Sequence, residues 1–192
     1  MLIWIFKLFF KINGWKLKTE MIQQYKQSVT IASPHTSNWD AVYALAAFSL
    51  MGLRMRFTLK KEWFRFPFKK AMQNLGGIAI DRTPKTPGEK RLSMTQAMVK
   101  LFKENKDLHI MVTPEGTRSL RTEWKTGFYY TAKSAGVPIL CGYLDYKNKV
   151  AGIGKVVFPS DNMEADLREI MNFYKNIQGK NPENFSTDLR YS

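Results

Sequence analysis

Cysteine and histidine are nearly absent from this 192-residue chain, which holds one of the first and two of the second. Cys141 alone can form neither an internal disulfide nor a metal-thiolate cluster, and a reducing setting is the default for such a composition. His35 and His109 lie far apart in sequence with no Cys or Glu set beside them, which argues against a zinc or di-metal site. No metal and no cofactor is expected. Negative charge is also scarce: 16 Asp and Glu face 30 Lys and Arg, a net charge of +14. That excess implies a polyanionic partner, either nucleic acid, an anionic membrane surface or a phosphorylated substrate. Internal repeats and low-complexity tracts are missing, and the length suits one domain with a sizeable core.

Long hydrophobic runs are lacking too. The most apolar stretch, residues 1–12, is broken by Lys7 and Lys11. As a helix it would reach about 18 Å against a hydrocarbon core of about 30 Å, so it is not expected to span a bilayer. It also lacks the leading positive charge and small-residue cleavage site of a secretory signal. At roughly 100° per residue, Lys7, Lys11 and Lys18 share one stripe while Trp4, Ile5, Phe9, Ile12 and Trp15 fill the rest. The pattern predicts a helix over residues 1–20 lying in a membrane interface, the alternative being a terminal helix docked on the protein's own core.

Residues 28–33 form a β-branched strand, and 41–51 a helix apolar nearly all round, with Asn38 as its N-cap. Strands follow at 54–60, 76–80, 107–113, 137–144 and 150–158. Helices are predicted at 89–104, at 123–135 (closed by Gly136) and at 163–177. Residues 60–70 interleave cations with aromatics, which suits a membrane-interface belt, a single-stranded nucleic-acid platform or plain core packing. The tail, 179–192, is polar and expected to be loose. Strands alternating with helices predict one layered α/β domain over 21–178, with a largely parallel sheet flanked by helices.

Three polar turns end three of these strands. Ser33-Pro34-His35-Thr36-Ser37-Asn38-Trp39-Asp40 delivers a histidine with a carboxylate five residues on, as a general base and its orienting partner require. With two His and seven Asp in 192 residues, this spacing arises by chance in about 7% of chains, so alone it decides little. Its company is more telling. Gly76-Gly77-Ile78-Ala79-Ile80-Asp81-Arg82 and Pro114-Glu115-Gly116-Thr117-Arg118-Ser119 each end in a turn carrying an arginine, so one site at one sheet edge is expected. Residues five apart on a continuous helix are about 140° apart, so His35 and Asp40 can meet only if the chain turns back at Thr36-Ser37. Arg82 and Arg118 could clamp a phosphate bidentately, and Gly116 would let backbone N–H groups approach an anion. Glu115 reads as a brace for an arginine, and Lys125, in Trp124-Lys125-Thr126-Gly127-Phe128, as a further cation. His109, on the strand face opposite Leu108, Ile110 and Val112, reads as structural, and Cys141 as an inert core thiol.

Taken in order, His35-x4-Asp40, the Ile-Asp-Arg block ending at Arg82, Glu115-Gly-Thr-Arg-Ser119 and Val137-Pro-Ile139 resemble the four sequence blocks of the glycerolipid acyltransferases, above all the 1-acylglycerol-3-phosphate (lysophosphatidate) acyltransferases. One departure is Pro34, where that family often has Asn before the His. The resemblance implies an acyltransferase fold over most of the chain and transfer of a fatty acyl group to a lysophospholipid hydroxyl. The donor would be an acyl thioester carried by acyl carrier protein or coenzyme A. It also implies His35 as base with Asp40 as partner, substrate binding by Arg82, Glu115, Gly116, Thr117, Arg118 and Lys125, and a peripheral or monotopic position at the cytoplasmic membrane face. A nucleic-acid partner is not expected: the chain lacks an RNP signature and a GxxG clamp, and such binding has no use for His35 with Asp40.

Overall fold

Runs of three to eight residues, β-branched or apolar in the central strands, supply the strands. In the computed structural model, which describes residues 2–18, 25–59, 69–80 and 91–192, they join into one sheet. Its members are β1 (Lys16–Lys18), β2 (Gln27–Ser33), β3 (Met55–Leu59), β4 (Gly77–Ala79), β5 (Leu108–Val112), β6 (Ile139–Asp145) and β7 (Val150–Val157). The order is β1-β7-β6-β2-β5-β3-β4. Every neighbouring pair is parallel except β6 and β7, which are joined by a short reversal and run antiparallel. Helices α1 (Leu2–Ile12), α2 (Trp39–Leu50), α3 (Lys69–Asn74), α4 (Met94–Glu104), α5 (Gly127–Ala135) and α6 (Met163–Tyr174) flank the sheet.

Side chains alternate between the two faces of a strand, and the central strands are apolar on both because helices cover both. Val29, Ile31, Ile110, Ile139 and Cys141 face a core built with Phe102 of α4, Phe128 of α5 and Ile170 of α6. Leu140, Leu144 and Ile153 point the other way, into a second core with Ala44, Ala47 and Phe48 of α2 and Phe10 of α1. The all-round apolarity of α2 follows, since one side meets the sheet and the other meets α1. The result is the expected layered α/β domain.

Four local expectations are corrected. The amino-terminal helix stops at Ile12 instead of continuing to residue 20. Gly14 takes a left-handed φ of +73°, its N–H donates to the Lys11 carbonyl at 3.0 Å, and the Trp15 N–H donates to the Phe10 carbonyl at 3.1 Å. This is a Schellman stop, completed by the Phe10–Trp15 ring contact at 5.8 Å. Trp15 is therefore buried, and Lys18 lies on β1, paired with Gly152, and not on the helix stripe. Asn38 begins α2 without a side-chain capping bond. Helix α5 starts at Gly127, not 123, because the Trp124 N–H donates to Asp188 and the Lys125 N–H to the Pro114 carbonyl. Helix α4 starts at Met94, where Ser93 and Gln96 form a reciprocal capping box.

The tail differs most from expectation. Asp188 is only 1% exposed and accepts from Trp124 N–H and from the Arg190 guanidinium, while Leu189 N–H donates to the Thr122 carbonyl. A polar composition reads as loose, but here the polar groups are spent on bonds to the domain. Among the described residues no helix is long and apolar enough to cross a membrane. Most of the cation–aromatic segment, 60–68, lies outside the described residues.

Candidate active site

Strand order places the site. From β2 the chain travels through α2 to β3 on one side of the sheet, whereas from β5 it crosses through α5 to β6 on the other side of β2. The carboxyl ends of β2 and β5 thus flank a topological switch point, where open α/β sheets form their crevice. Ile31 pairs with Val112, so the turn after β2, which carries His35, lies beside the turn after β5, which carries Glu115. The Ser33–Pro34 peptide is cis.

The chain does turn back at Thr36-Ser37. Asp40 Oδ2 accepts the N–H groups of Thr36 (2.7 Å) and Ser37 (2.8 Å), and His35 Nδ1 stands 3.4 Å from the same oxygen. Asp40 Oδ1 accepts from the Tyr146 hydroxyl at 2.7 Å. Burial, and then the bond to Asp40, push the Tyr146 phenol well above its usual range, so it stays a donor. With both oxygens occupied, Asp40 is buried yet fully paired, while the His35 side chain keeps 17% exposure. Such a pair can select the imidazole tautomer with hydrogen on Nδ1, which leaves Nε2 free to take a proton.

Glu115 is the second buried carboxyl. Its Oε1 accepts from Ser33 Oγ at 2.6 Å and from the His35 backbone N–H at 3.1 Å, whereas its buried Oε2 has no hydrogen-bond partner among the described residues. Desolvation raises its pKa above the ordinary carboxylate value, against the opposing pull of these bonds and of His35. Glu115 thus braces the backbone of the His35 turn; among the described residues no arginine bonds to it, and Arg82 lies outside them.

Two cavities lie near this carboxyl: Glu115 lines one, and its partners Ser33 and His35 line the other. One is almost wholly apolar and has Ser33, His35 and Asp40 at its polar end. Ala41, Ala44 and Ala47 form one stripe of α2 along its wall, continued by Met51 at the C-cap, and Met111, Gly142 and Leu144 line it from the sheet. The other cavity is polar and lined by Glu115, Gly116, Thr117, Arg121 and Lys125, among others. Gly116 has φ +68°, and a Cβ there would stand 2.6 Å from Lys125 Nζ; the glycine leaves room for that ammonium to lie against the turn.

Of the expected site residues, His35, Asp40, Glu115, Gly116, Thr117 and Lys125 are thus brought to one sheet edge. Arg118 is exposed and outside the lining of either cavity, and Arg82 lies outside the described residues. His109 is buried and bonded through Nδ1 to Ser28 Oγ at 2.7 Å, with its pKa lowered by burial, as a structural histidine. Burial pushes the Cys141 thiol up to about 12, which makes it a core thiol without reactivity. Tyr146, Ser33 and Arg121 were not singled out by the sequence. Tyr146 is 106 positions from Asp40, and no local pattern marks it.

A search of curated proteins finds no match to this chain. The acyltransferase family model, by contrast, aligns with residues 16–144, from β1 into β6, and so takes in both turns of the site. Covering two-thirds of the sequence, that match establishes that the chain belongs to the acyltransferase family.

Proposed function

We propose that this acyltransferase moves a fatty acyl group from a thioester, on acyl carrier protein or coenzyme A, to the free hydroxyl of a lysophospholipid at a membrane surface. The foremost acceptor is 1-acylglycerol-3-phosphate, giving phosphatidic acid. The observation that carries this reading is the His35–Asp40 pair lining an apolar cavity, with a cation-bearing cavity lined by Glu115, the carboxyl bonded to Ser33 and the His35 backbone. The apolar cavity suits an acyl chain, and Lys125, Arg121 and the Gly116 turn suit an anionic head group.

In this mechanism His35 Nε2 takes the proton of the acceptor hydroxyl as its oxygen bonds to the thioester carbonyl carbon. Asp40 stabilises the imidazolium formed. The carbon–sulfur bond then breaks, and the proton passes from His35 to the departing thiolate. The 3.4 Å separation of Nδ1 and Oδ2 is longer than a settled hydrogen bond and tightens when the imidazole is charged.

Membrane docking falls to α1, which buries Phe10 against α2 while Trp4, Leu8, Phe9 and Ile12 stay 41–73% exposed. Trp39 at the start of α2, 43% exposed with its ring 6.2 Å from Phe9, continues that apolar face toward His35. An enzyme lying on this face would meet lipid substrates at the mouth of the site.

The test is thin-layer analysis of products from purified protein given acyl-CoA or acyl carrier protein donors and a panel of lysophospholipids. Phosphatidic acid from lysophosphatidate is expected, with His35→Ala lowering turnover about 10²–10⁴-fold while the protein stays folded. Wild-type turnover by a folded His35→Ala protein would end the mechanism, and exclusive acylation of another lysolipid would replace the acceptor.

A further inference from the structure

A closed circuit of hydrogen bonds passes through Asp40. The carboxylate holds the Thr36 N–H, and Thr36 is itself held from behind by Asn181. The Asn181 backbone N–H donates to Thr36 Oγ1 at 3.1 Å, and its Nδ2 donates to the Thr36 carbonyl at 2.9 Å. Three residues earlier, the Gln178 carbonyl accepts from the Tyr146 N–H at 2.9 Å. The Tyr146 hydroxyl then returns to Asp40 Oδ1 at 2.7 Å. Between the two anchors, Gly179 presses on the turn so closely that a Cβ there would stand 2.9 Å from Thr36 Oγ1.

We propose that Tyr146 and Asn181 are positioning residues for the His35–Asp40 pair, Tyr146 fixing the carboxylate and Asn181 the turn that carries it. The inference rests on the acyl-transfer reading above. A carboxylate serves a histidine only if one oxygen stays aimed at Nδ1, and donors on both oxygens at once prevent it from rotating away. The Tyr146 ring is boxed edge-on by Trp15 at 4.9 Å and Tyr43 at 5.9 Å, so its hydroxyl reaches Asp40 already oriented. The tail thereby becomes part of the machinery that holds the base, although its own side chains line neither cavity.

Tyr146→Phe keeps the boxed ring and removes only the donor. Its kcat is expected to fall about 10-fold, the loss typical of one hydrogen bond to a charged group, with donor and acceptor KM unchanged. Losing the donor also leaves more negative charge facing His35, so the acidic limb of the pH–rate profile moves to higher pH. Among the described residues, the other ionisable groups facing the pair, Glu115 from the β5 turn and Tyr43 from α2, are untouched by this change. Asn181→Ala should lower kcat in the same direction and leave KM unchanged.

Tyr129→Phe is the control. It removes an equally short tyrosine-to-aspartate bond, 2.7 Å to Asp166, between two residues that line neither cavity. It should lower Tm but leave kcat and the pH profile as they are. The proposal is overturned if Tyr146→Phe, folded, matches wild type in kcat and pH profile, or loses no more than Tyr129→Phe. If His35→Ala is inactive in that experiment, the acyl-transfer reading survives and only this inference falls.

Discussion

Ala47→Leu tests whether the apolar cavity holds the acyl chain, and the structure sets its size. Ala47 is 2% exposed and belongs to the α2 stripe that lines the cavity, seven residues beyond Asp40. At about 1.5 Å of rise per residue it lies roughly 10 Å along the helix from the reacting end, with Met51 a turn farther. The substitution adds three carbons and so displaces about three methylenes of a chain that reaches that depth. At about 0.8 kcal/mol per buried methylene this amounts to about 2.4 kcal/mol, or a loss of roughly 50-fold in kcat/KM. Donors too short to reach Ala47 should be used at the wild-type rate, because the mouth formed by Ser33, His35 and Asp40 is unchanged. The assay is a series of acyl thioesters of increasing length, with Tm as the check on overpacking, which can cost about 1–3 kcal/mol. Equal loss across all chain lengths in a stable variant, or no loss with long donors, would refute the assignment of this cavity.

Two other perturbations probe the buried carboxyl and the docking face. Because burial raises the pKa of Glu115, the folded chain holds its proton more tightly than the unfolded chain does, and ionisation opposes folding once the pH exceeds the unfolded value. In Glu115→Gln the side-chain oxygen can still accept from Ser33 and His35 but no charge is buried. The Tm of Glu115→Gln minus that of wild type should therefore grow as pH rises from about 4 to 8, and a constant difference would contradict the sign. On α1, Trp4→Ser with Ile12→Ser should weaken binding to anionic vesicles about 10-fold or more without loss of Tm, because both side chains are over 60% exposed. Retained binding in a vesicle-sedimentation assay would move the docking face elsewhere. These substitutions are preferable to deleting the helix, since Phe10 and Trp15 belong to the core under α2.

Residue chemistry at short range settled much of this protein. Period-two and period-3.6 patterning gave the succession of strands and helices, and with it a parallel sheet, because βαβ alternation has few other solutions. The left-handed glycine closing α5 and the turn-back at Thr36-Ser37 were likewise readable, since each is dictated by residues within one turn of the chain. The Schellman stop at Gly14 was equally local, yet it went unread because the apolar stripe continues past it to Trp15. What only the tertiary structure decided is everything joined across long sequence separations. Glu115 meets the His35 backbone because β2 and β5 are neighbours in register, 80 residues apart in sequence. Tyr146 reaches Asp40 from 106 positions away, and Asn181 reaches Thr36 from 145. A polar tail carries no periodic signal, because its stability comes from single bonds to partners such as Trp124 and Thr36 rather than from a repeating apolar face. The sequence could therefore pair His35 with Asp40, but which groups hold that carboxylate in place depended on how distant segments were brought together by the sheet.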